Sequence, residues 1–173
     1  MKTIFIISIL TLLLFSCTPV KKIKVEEGNK VEPVAFGVKK IYDLCLKLDS
    51  LHGDVDRSII RDTIEAMSSR KLAEYYILKA TQPGSGKVIL SPDGSGDGEN
   101  ILESVDYSKN YYVKEIIDKA IKSKEGEVRY HSFKIMTPRD LEPVDKLAEF
   151  IYYHPKDWVI ISTLRISDVG KFK

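Results

Sequence analysis

The spacing of apolar and polar positions changes near Ser69 and divides the chain into a helical part and a strand-forming part. Apolar residues recur at helical spacing over residues 34–51, with lysine and aspartate between them, and again over residues 55–67. A His-Gly-Asp turn at 52–54 separates the two patterns. The sequence therefore predicts two amphipathic helices in the N-terminal part of the domain.

Beyond Ser69 the pattern is typical of β-strands, because β-branched and aromatic residues dominate and turn residues separate the runs. The strand patterns cover residues 74–81, 87–92, 127–137, 146–154 and 157–166. A helical pattern over residues 112–121 lies between the second and third strands. We predict an α+β domain, in which N-terminal helices precede an antiparallel sheet of about five strands that is covered on one face.

The first residues of the chain are typical of a secretion signal. One lysine precedes about a dozen apolar residues, which suits a signal-peptide core and is too short to span a membrane. The segment Leu14-Phe15-Ser16-Cys17 resembles the bacterial lipobox, where a signal peptidase cuts before a lipidated cysteine. We predict a signal peptide over 1–16, lipidation of Cys17, a flexible tether over 17–33 and one domain over 34–173. The alternatives are an ordinary signal peptide or a core strand with a buried thiol.

Composition excludes several classes of function. The chain has 27 basic and 25 acidic residues, a balance that argues against nucleic-acid binding. With Cys17 lipidated, Cys45 is left alone and no intrachain disulfide forms; we interpret Cys45 as a small buried apolar residue. The three histidines lack the paired spacing of zinc sites, so we predict no metal and no cofactor.

Motifs for catalysis are also incomplete. PGSGKV lacks the first glycine and the final serine or threonine of a phosphate-binding loop, and a strand, not a helix, follows it. DGSGDG opens like a calcium loop, but Ser104 stands where the bidentate glutamate is required. No nucleophile motif is present, so we predict that the chain is not an enzyme.

The order of segments in the C-terminal half resembles that of a single Cache domain, an extracytoplasmic sensor module similar to PAS domains. The residues that carry the likeness are, in chain order, Gly86, Ser91, Pro92, Gly126, Tyr130, Lys146, Tyr152, Asp157, Trp158 and Asp168. Family members commonly read W-x-I-G-T-G-V-Y in the last strand, whereas this chain has WVIISTLR from Trp158 to Arg165. Both strand glycines and the tyrosine are therefore replaced, and Glu149 stands where an aromatic residue is usual.

The resemblance implies a PAS-like fold that binds a small metabolite, often a carboxylate or an amino acid, between the sheet and its covering helix. A site for a small anion needs cationic donors flanked by aromatic walls. The candidate residues for this role are Tyr76, Arg129, Tyr130, Lys146 and Tyr152. Because alternate strand residues point to opposite faces, Arg129 and Tyr130 cannot line the same face.

We therefore expect an envelope lipoprotein that faces the periplasm or the cell exterior and binds or senses a small molecule. Since the chain ends soon after the last predicted strand, we expect no output domain and a separate signalling or transport protein as partner. The alternative is an envelope lipoprotein that engages a protein partner and whose pocket is filled by its own side chains.

Overall fold

The computed structural model describes residues 37–68, 73–136 and 141–171. Its helices and strands are α1 (Val38–His52), α2 (Arg57–Ser68), β1 (Glu74–Lys79), β2 (Val88–Leu90), α3 (Tyr112–Ile121), β3 (Arg129–Ile135), β4 (Val144–Tyr153) and β5 (Trp158–Arg165). Short 3₁₀ turns cover His154–Lys156 and Ile166–Lys171. In this part of the chain no helix is both long and apolar enough to cross a bilayer.

The strands form one antiparallel sheet in the order β2-β1-β5-β4-β3. The first strand in the sequence, β1, therefore pairs with the last, β5, and β5 lies in the centre of the sheet. The burial of β5 explains its apolar sequence. Every residue from Trp158 to Ser162 is buried, and a strand that is covered on both faces needs apolar side chains pointing to both faces.

Helices α1 and α2 cover one face of the sheet. Ile41 and Cys45 of α1 and Ile60 and Ile64 of α2 are fully buried against this face. Trp158 belongs to the same core, and Tyr153 packs edge-on against Tyr42 of α1, with 5.7 Å between the ring centroids. Residues spaced three and four apart thus form the apolar stripes that the helical pattern predicted.

Helix α3 covers the opposite face of the sheet. Val113, Ile116, Ile117 and Ala120 form its buried stripe and contact a second apolar cluster. Because the described part of the chain has a helical layer on each face, the expectation that only one face is covered is wrong. The turn-rich segment that leads from β2 to α3 carries the chain across the edge of the sheet and makes the second layer possible.

The predicted fold class is confirmed, with five antiparallel strands and two preceding helices. Cys45 is fully buried, as predicted, and burial raises the pKa of its thiol to about 12. The signal peptide, Cys17, the tether and the first residues of the predicted domain lie outside the described residues, so these assignments stay predictions.

An arginine of α2 ties this helix to the DGSGDG loop at the edge of the sheet. Arg61 of α2 forms an ion pair with Asp97, and its other terminal nitrogen donates to the carbonyl oxygen of Ser91 at 3.2 Å. Asp97 also accepts hydrogen bonds from the backbone N–H and hydroxyl of Ser91, both at 2.8 Å. The DGSGDG loop is therefore bound to α2, and this contact occupies the carboxylate of Asp97.

Gly86 sets the distance between the β1–β2 loop and the segment that follows β2. It has a φ of 79°, and a Cβ at this position would lie 2.5 Å from the Cβ of Leu102 and 2.8 Å from its backbone. Only glycine fits, because a side chain would meet both an unfavourable backbone conformation and a backbone that cannot move aside.

We expect Gly86→Ala to lower the free energy of unfolding by about 3 kcal/mol, of which the left-handed conformation accounts for about 1 kcal/mol and the steric conflict for the remainder. Gly98 is the matched control, since it has a φ of 88° and no atom within 4 Å of the added Cβ. Gly98→Ala should cost only about 1 kcal/mol. Urea denaturation of the three proteins measures the difference, and equal losses would contradict the role of the Leu102 contact.

Candidate functional site

The register of the sheet decides which candidate residues share a face. Arg129 lies opposite Phe150, which pairs with Ile161, and Ile161 in turn lies opposite Tyr76. Directly paired residues project to the same face. By the same register Lys146 and Tyr152 also project toward α3, whereas Tyr130 projects toward α1 and α2. The predicted separation of Arg129 and Tyr130 is therefore present in the structure.

Tyr130 forms part of a polar row beneath α1. Its hydroxyl donates to Glu149 Oε1 at 3.4 Å, and Glu149 is 2% exposed. Burial, together with Glu149, raises the pKa of Tyr130 to about 12. The next residue in the row is Ser162, which is fully buried and whose hydroxyl has no hydrogen-bond partner among the described residues. The row lies on the face of the sheet opposite α3, so Tyr130 is separated from the other four candidates.

Arg129 lies at the beginning of the edge strand β3. Its side chain is 48% exposed, and its Nε pairs with Glu127 Oε1 at 2.9 Å. An exposed ion pair of this kind contributes little energy and is screened by salt. Arg129 is therefore on the α3 face by register but at its solvent-exposed margin.

Tyr152 is bound to a carboxylate at the end of β4. Its hydroxyl donates to Asp157 Oδ1 at 2.7 Å, while Lys79 Nζ and Thr81 Oγ1 contact Oδ2 at 2.8 and 2.6 Å. Burial acts to raise the pKa of Asp157, but the hydrogen bonds from Lys79, Thr81 and Tyr152 outweigh it and lower that pKa to about 2. This cluster joins the β4–β5 turn to the end of β1.

Lys146 lies at the other end of the α3 face. Its side chain is only 12% exposed, and its ammonium pairs with Glu74 Oε2 at 3.0 Å. The hydroxyl of Thr163, on the strand between them, lies 3.4 Å from the same carboxylate oxygen. Glu74 is 56% exposed, so the pair has a buried cation and an accessible anion.

Aromatic rings surround this pair. Phe133 lies directly opposite Lys146 and stacks on Tyr112 of α3, with 4.4 Å between the centroids. Tyr76 is half-buried two residues after Glu74, and burial, with the nearby charge of Glu74, raises its pKa to about 12. We call Glu74, Tyr76, Tyr112, Phe133, Lys146 and Thr163 the Lys146 cluster.

His131 connects α3 to the sheet beside the Lys146 cluster. Its Nδ1 is 2.8 Å from Lys119 Nζ, and its Nε2 is 3.5 Å from Glu115 Oε2. Burial and the charge of Lys119 lower the pKa of the imidazole, against the opposing effect of Glu115. The three side chains hold one turn of α3 against β3.

Apolar side chains fill the middle of the α3 face, between the Lys146 cluster and Asp157. The sheet contributes Leu78, Phe133, Ala148, Phe150, Val159 and Ile161, and α3 contributes Val113, Ile116, Ile117 and Ala120. Ile161 and Thr163 occupy the two positions where the resembling family has strand glycines, and both project to this face. The candidate residues therefore do not form a single central pocket. Tyr76 and Lys146 lie at one polar end of the α3 face and Tyr152 lies at the other. Arg129 lies at the exposed margin of that face, and Tyr130 lies on the opposite face.

Sequence reasoning missed four members of the cluster, which are Glu74, Tyr112, Phe133 and Thr163. Alternation within β1 could have placed Glu74 on the face of Tyr76. The contact of Glu74 with Lys146 depends on the pairing of β1 with β5, which local patterns do not reveal.

Comparisons with known proteins agree with this architecture. The model of the family described as the Cache 3/Cache 2 fusion domain matches residues 55–172, which is more than half of the chain. Among curated proteins, none matches the chain significantly.

Several solved structures share the fold at low sequence identity. The periplasmic sensor domain of a chemotaxis protein has a TM-score of 0.57 and 13% identity, and the match covers 75% of this chain and 88% of that one. A methyl-accepting chemotaxis protein from Vibrio parahaemolyticus has a TM-score of 0.53 and 18% identity, covering 78% and 82%. A Cache chemosensory domain described for carboxylic acid recognition has a TM-score of 0.55 and 18% identity, covering 75% and 86%.

We expect Asp157→Asn to lower the free energy of unfolding by about 2 kcal/mol at pH 7, because the shift of the pKa from 3.8 to about 2 measures how much better the folded state binds the carboxylate. The folded pKa is the lower one, so this stability is present above about pH 4 and is lost as the pH falls toward 2. Asparagine tolerates the left-handed backbone at this position, where φ is 56°.

Denaturation at several pH values measures this effect. The difference between wild type and Asp157→Asn should shrink toward zero near pH 2. Asp145→Asn is the control, because that carboxylate is 60% exposed and its loss should change stability little. A pH-independent difference would mean that the charge of Asp157 does not stabilise the fold.

Proposed function

We propose that this chain, which belongs to the Cache 3/Cache 2 fusion domain family, is an extracytoplasmic sensor module that binds a small carboxylate at the Lys146 cluster. The observation that carries the proposal is a lysine with 12% exposure on the α3 face, already paired with a carboxylate. The module has no catalytic role in this proposal; it captures a ligand and passes the signal or the ligand to a separate protein.

Lys146 has the chemistry that an anion site requires. A nearly buried ammonium needs a negative partner, because an unpaired charge in that position loses its hydration without compensation. The carboxylate of Glu74 supplies this partner at 3.0 Å but is itself 56% exposed. Glu74 therefore occupies the position of a ligand carboxylate and can move into solvent at little cost when a ligand replaces it.

The aromatic rings supply the remaining features of a small-molecule site. Tyr112 and Phe133 form a stacked wall, and Tyr76 adds a half-buried hydroxyl. Such sites are largely apolar, with few polar groups that fix the orientation of the ligand. The neighbour described for carboxylic acid recognition supports the same ligand class, and the periplasmic sensor domain supports a place outside the cytoplasm.

We expect Lys146→Gln to weaken the binding of small carboxylates at least tenfold, since a hydrogen bond to a charged group contributes about 1.5–3 kcal/mol. Glu74→Gln should have the opposite effect and raise affinity by up to about tenfold, because it removes the internal competitor. Thermal-shift measurements with a panel of mono- and dicarboxylates, followed by calorimetry on the best ligand, test both changes.

Lys134→Gln is the matched control. Lys134 is a 44%-exposed lysine of β3 whose ion pair with Asp145 spans 3.4 Å, so its loss should leave ligand affinity unchanged. The proposal is contradicted when no carboxylate stabilises the wild-type protein, or when Lys146→Gln binds the best ligand as tightly as wild type.

One observation favours a second candidate function. The apolar middle of the α3 face is filled by side chains of the protein itself, with Ile161 only 4% exposed. A sensor fold with a filled centre suits a protein that engages a partner protein through its surface. The carboxylate panel separates the two candidates, since this second function predicts no stabilisation by any ligand.

The proposed place of the protein is the bacterial cell envelope, held to the membrane through lipidated Cys17. The support is the sequence, which has an apolar leader followed by a lipobox-like Leu14-Phe15-Ser16-Cys17. A diacylglycerol at Cys17 would bury acyl chains worth about 0.8 kcal/mol for each CH₂ group, and two chains anchor a protein stably. The tether over 17–33 would hold the domain away from the bilayer.

We expect Cys17→Ser to abolish lipidation and to move the protein from the membrane fraction to the soluble fraction of a bacterial expression host. Metabolic labelling with an alkyne fatty acid and mass spectrometry of the N-terminus measure the modification. Cys45→Ser is the control, because Cys45 is buried and its loss should leave the label in place. A labelled Cys17→Ser protein would contradict the assignment.

A further inference from the structure

Two apolar side chains lie exposed where β3 turns back into β4. Ile135 and Val144 form the last pair of this hairpin, and Met136 and Leu141 lie just beyond it. Met136 is 53% exposed and Leu141 is 98% exposed. A single exposed apolar residue is common on a protein surface, but several that share one place on it mark an interaction site.

The segment before α3 brings two tyrosines to the same end of the sheet. The backbone N–H of Tyr107 donates to the carbonyl oxygen of Lys134 at 2.6 Å, one residue before β3 ends. Tyr111 directly precedes α3, whose first residue, Tyr112, stacks on Phe133 near the same strand end. Tyr107 is 59% exposed and Tyr111 is 47% exposed. We call Tyr107, Tyr111, Met136 and Leu141 the hairpin-end patch.

The turn that carries Tyr107 is closed by its own hydrogen bonds. The backbone N–H of Asp106 donates to the carbonyl oxygen of Asn110 at 2.9 Å, and the N–H of Asn110 donates to Asp106 Oδ1 at 2.8 Å. The N–H of Lys109 donates to the carbonyl oxygen of Asp106 at 3.0 Å. The turn is therefore formed in advance, and a contact made by Tyr107 does not have to order it.

Helix α1 begins on the half of the sheet that carries the hairpin-end patch. A Cβ at Gly37 would lie 3.3 Å from the hydroxyl of Tyr75, the second residue of β1. Farther along α1, the carbonyl oxygen of Cys45 accepts from the hydroxyl of Tyr153, at the end of β4 away from the hairpin. Helix α1 therefore runs away from the hairpin, and the chain enters the domain from the side of the patch.

The position of the predicted lipid anchor makes a bilayer the apolar partner nearest to this patch. Cys17 precedes Gly37 by 20 residues. A flexible stretch of this length has its ends roughly 25 Å apart on average, which is less than the length of β4 by about 10 Å. The inference therefore rests on the anchor proposed above, which would keep this end of the domain close to the membrane.

The charges around the patch are of both signs. Lys134 pairs with Asp145 at 3.4 Å across the hairpin, and Asp106 and Lys109 share the turn of Tyr107. Strong attraction to anionic lipid requires clustered lysines or arginines, which this mixture does not offer. Leucine and methionine gain by leaving water, and tyrosine is enriched at the level of the headgroups, where its ring is shielded and its hydroxyl stays hydrated. The patch therefore suits a surface of zwitterionic lipid.

We propose that the hairpin-end patch docks the domain onto the surface of a zwitterionic bilayer. Met136 and Leu141 enter the boundary between the headgroups and the acyl chains, and Tyr107 and Tyr111 lie among the headgroups. The contact is weak by itself, but an anchored domain meets the surface at a high local concentration. The domain then stands on the membrane in one orientation, with the β4–β5 turn farthest from it.

The experiment places a tryptophan in the patch and measures whether lipid quenches it. The lipidated full chain with Tyr107→Trp is reconstituted in phosphatidylcholine vesicles whose acyl chains carry bromine, a quencher that acts at short range. We expect the introduced tryptophan to lose most of its emission relative to vesicles without bromine. Trp158 contributes a constant background, because it is buried at the end of β5 next to the β4–β5 turn.

Leu51→Trp is the matched control, because Leu51 is a 63%-exposed leucine in the last turn of α1, away from the patch. Its emission should be the same with and without bromine. Added to Tyr107→Trp, Leu141→Ser should lower the ratio of docked to free domain about tenfold, whereas Leu51→Ser should leave it unchanged. Raising NaCl to about 0.5 M should not reduce the quenching, because the contact is apolar.

Several results would overturn the proposal. They are equal quenching of Tyr107→Trp and Leu51→Trp, quenching that Leu141→Ser leaves unchanged, and quenching that salt abolishes. A dimer in lipid-free solution that Leu141→Ser dissociates would also overturn it, since a second copy would then cover the patch.

The docking test is independent of the lipidation test. A chain that the host leaves unlipidated is coupled through the thiol of Cys17 to a maleimide-bearing lipid, and Cys45 does not compete because it is buried. Quenching of Tyr107→Trp in this coupled protein would support docking even where the natural anchor fails. Its absence would overturn docking while leaving the assignment of Cys17 to the labelling experiment.

Discussion

The pairing of β1 with β5 is the contact on which the rest of the structure depends. It joins Glu74 to Thr163 and Lys79 to Trp158, which are distant in the sequence, and it places the last strand in the centre of the sheet. The pairing is favoured because β5 is apolar in both registers and must be covered on both faces and both edges. With β5 central, α1 and α2 pack on one face of the sheet and α3, from the middle of the sequence, packs on the other.

The same pairing creates both polar ends of the α3 face. At one end it brings Glu74 beside Lys146, with Thr163 of β5 between them. At the other end it brings Lys79 beside Asp157, which Tyr152 and Thr81 also contact. The carboxylates at the two ends differ in exposure. Asp157 is only 19% exposed, whereas Glu74 is 56% exposed, and in the proposed function Glu74 is the carboxylate that a ligand replaces.

Local patterns in the sequence predicted the fold well and the site only in part. Alternation and helical spacing depend on neighbours in the chain, so the helices, the strands and the opposite orientation of Arg129 and Tyr130 followed from them. The second covering layer did not follow from these patterns, because the sequence between β2 and α3 has no regular spacing of apolar residues. Nor did the partner of Lys146, because its pairing with Glu74 depends on strand order, whereas Arg129 pairs with Glu127 only two residues before it in the chain. Strand order is a property of the whole chain, set by which strands bury the most apolar surface together.

The replaced strand glycines explain why the candidate site lies at an end of the face and not at its centre. A glycine in a strand leaves space above the sheet, since it has no side chain. At the corresponding positions this chain has Ile161 and Thr163, and both point toward α3. Ile161 fills the centre with an apolar side chain, while Thr163 keeps a hydroxyl beside Glu74. The carboxylate site that we propose therefore lies further along β5, toward Lys146. We propose that one lysine, one hydroxyl and an aromatic wall are sufficient there for a short carboxylate, because a smaller ligand needs fewer contacts to be oriented.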